Sequence, residues 1–169
     1  GVQPVCWIGS RRITGARLRA MPHLRPIKIR ADIFGQGEPD EDLIVSPDHR
    51  ILVKGAIAQS LFNTPEVLVS ARDLVNDRSI LIDHSLREIS YVHLMMEEHQ
   101  ILWANGIECD SFHPAGTPLE QIAPTQRQGL FERFPDIAQN PSDYGGYARR
   151  NLSAPEAAIL AYDGHPKPI

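Results

Sequence analysis

The sequence predicts a mostly β fold of short antiparallel strands, followed by a short helical C-terminal extension. Three observations carry that prediction. Six β-branched or aromatic runs are each cut short by Gly, Pro, Asn or Asp. Fourteen prolines and 12 glycines spread turns densely through the 169 residues. Apolar residues take up helical spacing over long stretches only after about Pro114.

The predicted strands, in order, are QPVCWIG, PIKIRADIF, the two arms of DLIVSPDHRILVKG, SILIDH, EISYVHLMM and HQILWANGIE. Asn105-Gly106 marks a tight turn inside the last of these, because both residues tolerate positive φ. Two helices are expected within the β body. TGARLRAM is capped by Thr14 and stopped by Pro22, and VSARDLVND has Ser70 as its candidate N-cap. In the extension, residues 119–134 place Leu119, Ile122, Leu130, Phe131 and Phe134 at helical spacing. Residues 154–162 follow Ser153 as N-cap, with Pro155 and Glu156 in the first turn. The expected division is a β body over residues 1–113 and a helical extension over 114–169 packed on it. Tyr91, Leu94 and Trp103 are expected in the core.

Bulk composition narrows the function classes. Hydrophobic residues make up 42% and charged residues 22%, a globular balance. A net charge of -4 argues against a nucleic-acid partner, and no apolar run approaches the length of a membrane span. Two cysteines, Cys6 and Cys109, are too few for a disulfide framework; they read as two free thiols, with a single bridge as the other reading that their spacing leaves open. Cys6 reads as a packing residue inside a strand. The opening GVQPVCWIG starts on turn residues without an initiator methionine, so the chain is expected to be a fragment or processed product.

Chemistry concentrates around histidines. His49 stands three residues after Ser46, with Pro47 fixing φ between them and biasing Ser46 to an extended conformation. Such a turn can bring a hydroxyl and an imidazole into one pocket, where a neutral histidine transfers protons near physiological pH. A structural histidine in an ST-turn is the other reading. His93 and His99 lie six residues apart, on the same side if the strand is unbroken, with Glu97-Glu98 interrupting. No HxxxH, HExxH or CxxC spacing supports a metal centre from His49, His93, His99 and His113, and no cofactor is implied. There is no phosphate-cradling glycine loop, no GxSxG and no glycosidase-like carboxylate pair.

Taken together, SPDHRILV and ISYVHLMMEEHQILWANGIE resemble two blocks of the Hint superfamily, the autoprocessing domains of hedgehog proteins and inteins. QPVCWIGSRRI and PHLRPIKIRADIFG look like its bacterial branch, found in large secreted or surface proteins. The resemblance covers roughly residues 1–113. It implies a horseshoe-like fold of short antiparallel strands and an N-to-S or N-to-O acyl shift at the peptide bond preceding the domain. By position His49 takes the proton-donating role, Ser46 that of the family's usual Thr, and His99 that of the late-block histidine. His93 stands where many members carry an Asp that tunes the nucleophile. Ser46 and His49 are expected in one pocket with His93 or His99 nearby.

Two departures accompany the resemblance. The opening block with its Cys or Ser nucleophile is not in this sequence, so the implied partner is the chain's own upstream segment. After Asn105-Gly106-Ile107 the chain reads Glu108-Cys109-Asp110-Ser111 instead of His-Asn, which leaves N-terminal cleavage rather than splicing. His113 reads as a turn histidine ahead of Pro114. A degenerate Hint fold kept as a structural or interaction module is the competing class, and a histidine metallohydrolase the weaker third.

Overall fold

In a computed structural model that describes residues 1–163, the chain is mostly β, as predicted. The described residues form ten strands in three sheets and four short helices. The strands are β1 (Trp7–Ile13), β2 (Ile27–Ile29), β3 (Leu43–Val45), β4 (Arg50–Lys54), β5 (Glu66–Ser70), β6 (Ile80–Ile82), β7 (Ile89–Met95), β8 (Ile101–Ala104), β9 (Ile107–Asp110) and β10 (Arg150–Asn151). The helices are α1 (Gly15–Ala20), α2 (Ala56–Phe62), α3 (Pro124–Arg133) and α4 (Ala154–Asp163). The chain divides into two compact units, each assembled from three separate segments.

The first unit comprises Gly1–Leu24, His84–Leu102 and Ser111–Ala148. Its two-stranded sheet pairs β1 with β7 antiparallel, from Trp7 opposite Met95 to Ile13 opposite Ile89. Alternation puts Trp7, Ile13, Tyr91 and Met95 on the buried side. Trp7 folds its indole over Gly9, where a Cβ would meet the ring at 2.1 Å. Trp7, Met95 and Phe112 form one core with Leu119, Ile122, Leu130 and Ile137. Burying that apolar face stabilises α3, a helix of 10 residues that would be marginal alone. Gln126 ties α3 to β1: its carbonyl accepts the Trp7 Nε1–H at 3.0 Å and its side-chain oxygen the Ser10 N–H at 2.9 Å. Thr14 caps α1 as expected, its hydroxyl accepting the Arg17 N–H.

The second unit comprises Arg25–Asp83, Trp103–Asp110 and the described residues from Arg149 on. One antiparallel sheet runs β3-β2-β6. In the other, β4 lies between β5 and β9, with Ile51 opposite both Val69 and Cys109. β10 pairs with β5 in parallel at its far side. Val67, Leu68 and Val69 are wholly buried, and α2 and α4 supply Ala58, Phe62, Ala157 and Leu160 to the core that takes Val67 and Val69. The β8–β9 turn uses Asn105 at φ 45° and Gly106 at φ 80°, as its Asn-Gly dipeptide predicts.

Several local expectations are corrected. The first strand occupies residues 7–13 rather than 3–9, and ADIF is turn rather than strand. VSARDLVND is not one helix: Val69 and Ser70 end β5, and only Ala71–Leu74 coils, as a 3₁₀ turn without a capping bond from the Ser70 side chain. The Ala71 and Arg72 N–H groups donate instead to the carbonyls of His49 and Pro47, so tertiary bonds override the local helix. Trp103 is 67% exposed on β8, at the edge of its sheet, with Lys54 above its ring. Cys6 precedes β1 and is half-buried, with its sulfur beside Glu97 and Arg133.

Candidate functional site

The SPDH stretch is a β-turn between β3 and β4. The His49 N–H closes it on the Ser46 carbonyl at 3.1 Å, so the backbone of Ser46 rather than its hydroxyl makes the turn. The segment after β5 ties the turn from one side. Ala71 donates to the His49 carbonyl at 2.8 Å, Arg72 donates to that of Pro47 at 3.1 Å, and the Arg72 guanidinium pairs with Asp48. His49 is thereby held just before β4 begins.

The imidazole has a defined neighbour on β9. His49 Nδ1 lies 3.5 Å from Asp110 Oδ1, and Asp110 is buried, with 6% exposure. The same oxygen accepts the Arg50 backbone N–H at 2.9 Å, and Oδ2 accepts Arg50 Nη1 at 3.2 Å. The register makes this inevitable, since Ile51 faces Cys109 and the next antiparallel pair is Arg50 with Asp110. Burial lowers the His49 pKa, and Arg50 lowers it further, while Asp110 pulls the other way. Burial and Arg50 win, so the ring is neutral at neutral pH. Protein atoms surround most of it, yet 28% of the side chain stays exposed, leaving one edge reachable. Such a ring can take and return a proton. The adjacent Cys109 cannot serve as a nucleophile: burial, with Asp110 adding to it, pushes its thiol up to about 12.

His93 and His99 belong to the first unit. His93, on β7, packs its ring against Phe112 at 4.7 Å. His99 follows β7 in a turn and is buried; its Nδ1 accepts the Ala148 N–H at 2.9 Å, which leaves the ring proton on Nε2. Its neighbours are His113 at 5.3 Å and Tyr147 at 5.2 Å, between ring centres. His113 is a turn histidine that is also buried. Its Nδ1 accepts the Ala115 N–H, its Nε2–H donates to the Gly145 carbonyl at 3.0 Å, and its ring stacks on Tyr147. His93 and His99 thus sit in separate ring groups. Among the described residues, no group of three or more His, Cys, Asp or Glu side chains is arranged to hold a metal ion. No helix among them is long and apolar enough to cross a membrane.

Sequence reasoning missed Asp110 and Arg50. Sixty positions separate them, and only strand register joins them. The one available signal was that Asp110 lies in the stretch Glu108-Cys109-Asp110-Ser111, which stands in place of the family's terminal His-Asn.

A mostly β chain with a histidine turn before one strand and a late Ala-Asn-Gly-Ile hairpin defines a Hint-type domain. The family model for the Hint domain matches residues 1–116, and the chain belongs to the Hint domain family. No curated protein and no solved structure matches it.

Proposed function

We propose that this Hint domain is an autoprocessing domain of the bacterial branch, which cleaves its own N-terminal junction by an N-to-S or N-to-O acyl shift. The nucleophile is a Cys or Ser of an opening block upstream of this sequence, and the partner is that upstream segment. The supporting observation is His49, a neutral, oriented and largely enclosed imidazole held before β4 with one edge open.

In this reading the nucleophile's sulfur or oxygen bonds to the preceding carbonyl carbon while its proton passes to His49 Nε2. The imidazolium returns that proton to the amide nitrogen as the C–N bond breaks, leaving a thioester or ester and a free amine. A thiol or water then releases the upstream segment. The lowered pKa of His49 suits the return step, because a weakly basic ring makes a strong acid once protonated. Ser46 is assigned to polarise the scissile carbonyl. The roles of His93, at the nucleophile-tuning position, and of His99 rest on their places in the late block alone. Secretion or display on a cell surface belongs to the same proposal. So does the division into a processing body over residues 1–113 and an extension over 114–169. The packing of Leu119, Ile122, Leu130 and Ile137 on Trp7, Met95 and Phe112 supports the docking of the extension on that body.

The test is the chain extended upstream through its natural Cys or Ser, followed by intact mass over time. The wild type should split at the junction, faster with added thiol if the nucleophile is Cys. His49→Ala should slow this by roughly a hundredfold or more while retaining the far-ultraviolet circular dichroism of the wild type. An unchanged rate in His49→Ala, or a precursor that never cleaves, overturns the reading. The second result would leave a non-catalytic module.

A further inference from the structure

We propose that Asp110, braced by Arg50, is a positioning residue that holds His49 with its proton on Nδ1 and so makes Nε2 the nitrogen that exchanges protons. The inference rests on the reading of His49 as the proton carrier.

The geometry leaves two neutral forms of the ring to compare. With the proton on Nε2, the bare lone pair of Nδ1 would face a carboxylate oxygen 3.5 Å away, and like would meet like. With the proton on Nδ1, the same approach becomes an attraction. Asp110 therefore selects the second form, and Nε2, on the other side of the ring, is left bare.

Arg50 has a second function in this arrangement. A buried carboxylate beside a histidine would ordinarily draw a proton onto the ring and keep it there as an imidazolium. Here both carboxylate oxygens are already engaged by one residue, through the Arg50 backbone N–H at 2.9 Å and Nη1 at 3.2 Å. These are the charge-assisted donors that a buried carboxylate requires. Burial of the ring, aided by the guanidinium, outweighs the pull of Asp110 on His49, so the carboxylate fixes the tautomer without fixing the charge. The other charged groups at the turn, Asp48 and Arg72, are paired with each other. The sequence encodes the device economically: Arg50 follows His49, and the β4–β9 register brings Asp110 opposite Arg50.

The primary test uses this chain without its upstream segment. Nitrogen-15 NMR of the imidazole at pH 8, where the ring is neutral, should show His49 protonated at Nδ1 and bare at Nε2. Asp110→Asn keeps the shape and an acceptor for the Arg50 N–H but removes the charge, and the Nε2–H form should rise to at least half of the neutral population. The two variants should also move the His49 titration in opposite directions. Asp110→Asn should lower it and Arg50→Gln should raise it, each by about one pH unit, a tenfold change in proton affinity. A merely structural pair would not give shifts of opposite sign. In the upstream-extended precursor, the pH profile of cleavage should move with the titration of His49 in each variant. A wild-type His49 carrying its proton on Nε2 overturns the proposal whether or not any variant folds. So does a folded Asp110→Asn with the wild-type tautomer. Loss of cleavage in His49→Ala bears separately on the reading beneath the proposal, so the two can fail independently.

Discussion

Replacing Gly106 with Ala probes the hairpin that carries Asp110 into place. Two penalties can be read from the structure. Gly106 has φ 80°, in the left-handed region, where an L residue costs about 1–2 kcal/mol. A Cβ at this position would also lie 2.3 Å from the Gly37 carbonyl oxygen, a backbone atom with no rotamer through which to yield. The loop around Gly37 must therefore shift. That endangers the bond from the Asp40 N–H to the Asn105 carbonyl, 2.9 Å long, for about 1 kcal/mol more. The expected loss is about 3 kcal/mol. Gly129→Ala is the matched control. It lies inside α3 with nothing within 4 Å of its Cβ position, and should stabilise by up to about 1 kcal/mol through helix propensity. Urea unfolding followed by circular dichroism measures both as midpoint shifts at constant slope. The reasoning fails if Gly106→Ala falls within about 0.5 kcal/mol of wild type, or if the two substitutions shift stability in the same direction.

Leu130→Ala should cost about 2–5 kcal/mol in the same assay, because Leu130 is wholly buried among Trp7, Ile122 and Ile137 and its removal leaves a cavity; a loss under 1 kcal/mol would mean the site collapses freely. Glu156 gives a pH prediction. Bonds from the Ser153 N–H and hydroxyl, aided by Arg150, lower its pKa to about 2. A carboxylate depressed on folding stabilises above its unfolded pKa of about 4.3, and the contribution is lost as pH falls towards 2. The melting temperature of wild type should thus exceed that of Glu156→Gln at pH 7 and approach it as the pH falls from about 4 to about 2. A gap that does not change with pH would show that the charge of Glu156 contributes nothing.

How much of this was legible in the sequence depended on whether the deciding forces were local. Asn105-Gly106 announced its turn because positive φ is a property of those residues alone. Thr14 and the Ser153–Glu156 cap were equally local. By contrast β5 was misread because Val67-Leu68-Val69 is buried on both faces and shows no alternation. α2 starts at Gly55 without a side-chain cap, so it carried no start signal. β10, two residues long, exists only because β5 accepts it. At the site, His49 was visible as a type in a turn, whereas its partnership with Asp110 depends on a strand register that no local pattern encodes.

The segmented make-up of the two units has a consequence for how the chain is born. The Trp7 indole donates to a carbonyl 119 residues further along, so the core around it cannot close until α3 has left the ribosome. The second unit waits longer still, because Leu152, Ala157 and Leu160 complete the core begun by Ala58 and Phe62. Synthesis from the N-terminus thus exposes β1 well before β7 exists and the far side of β5 well before β10, so neither core can close until those later segments have been made. Stalling the nascent chain just after Ser111 should therefore leave a protease-sensitive polypeptide, even though most of its strands have already been made.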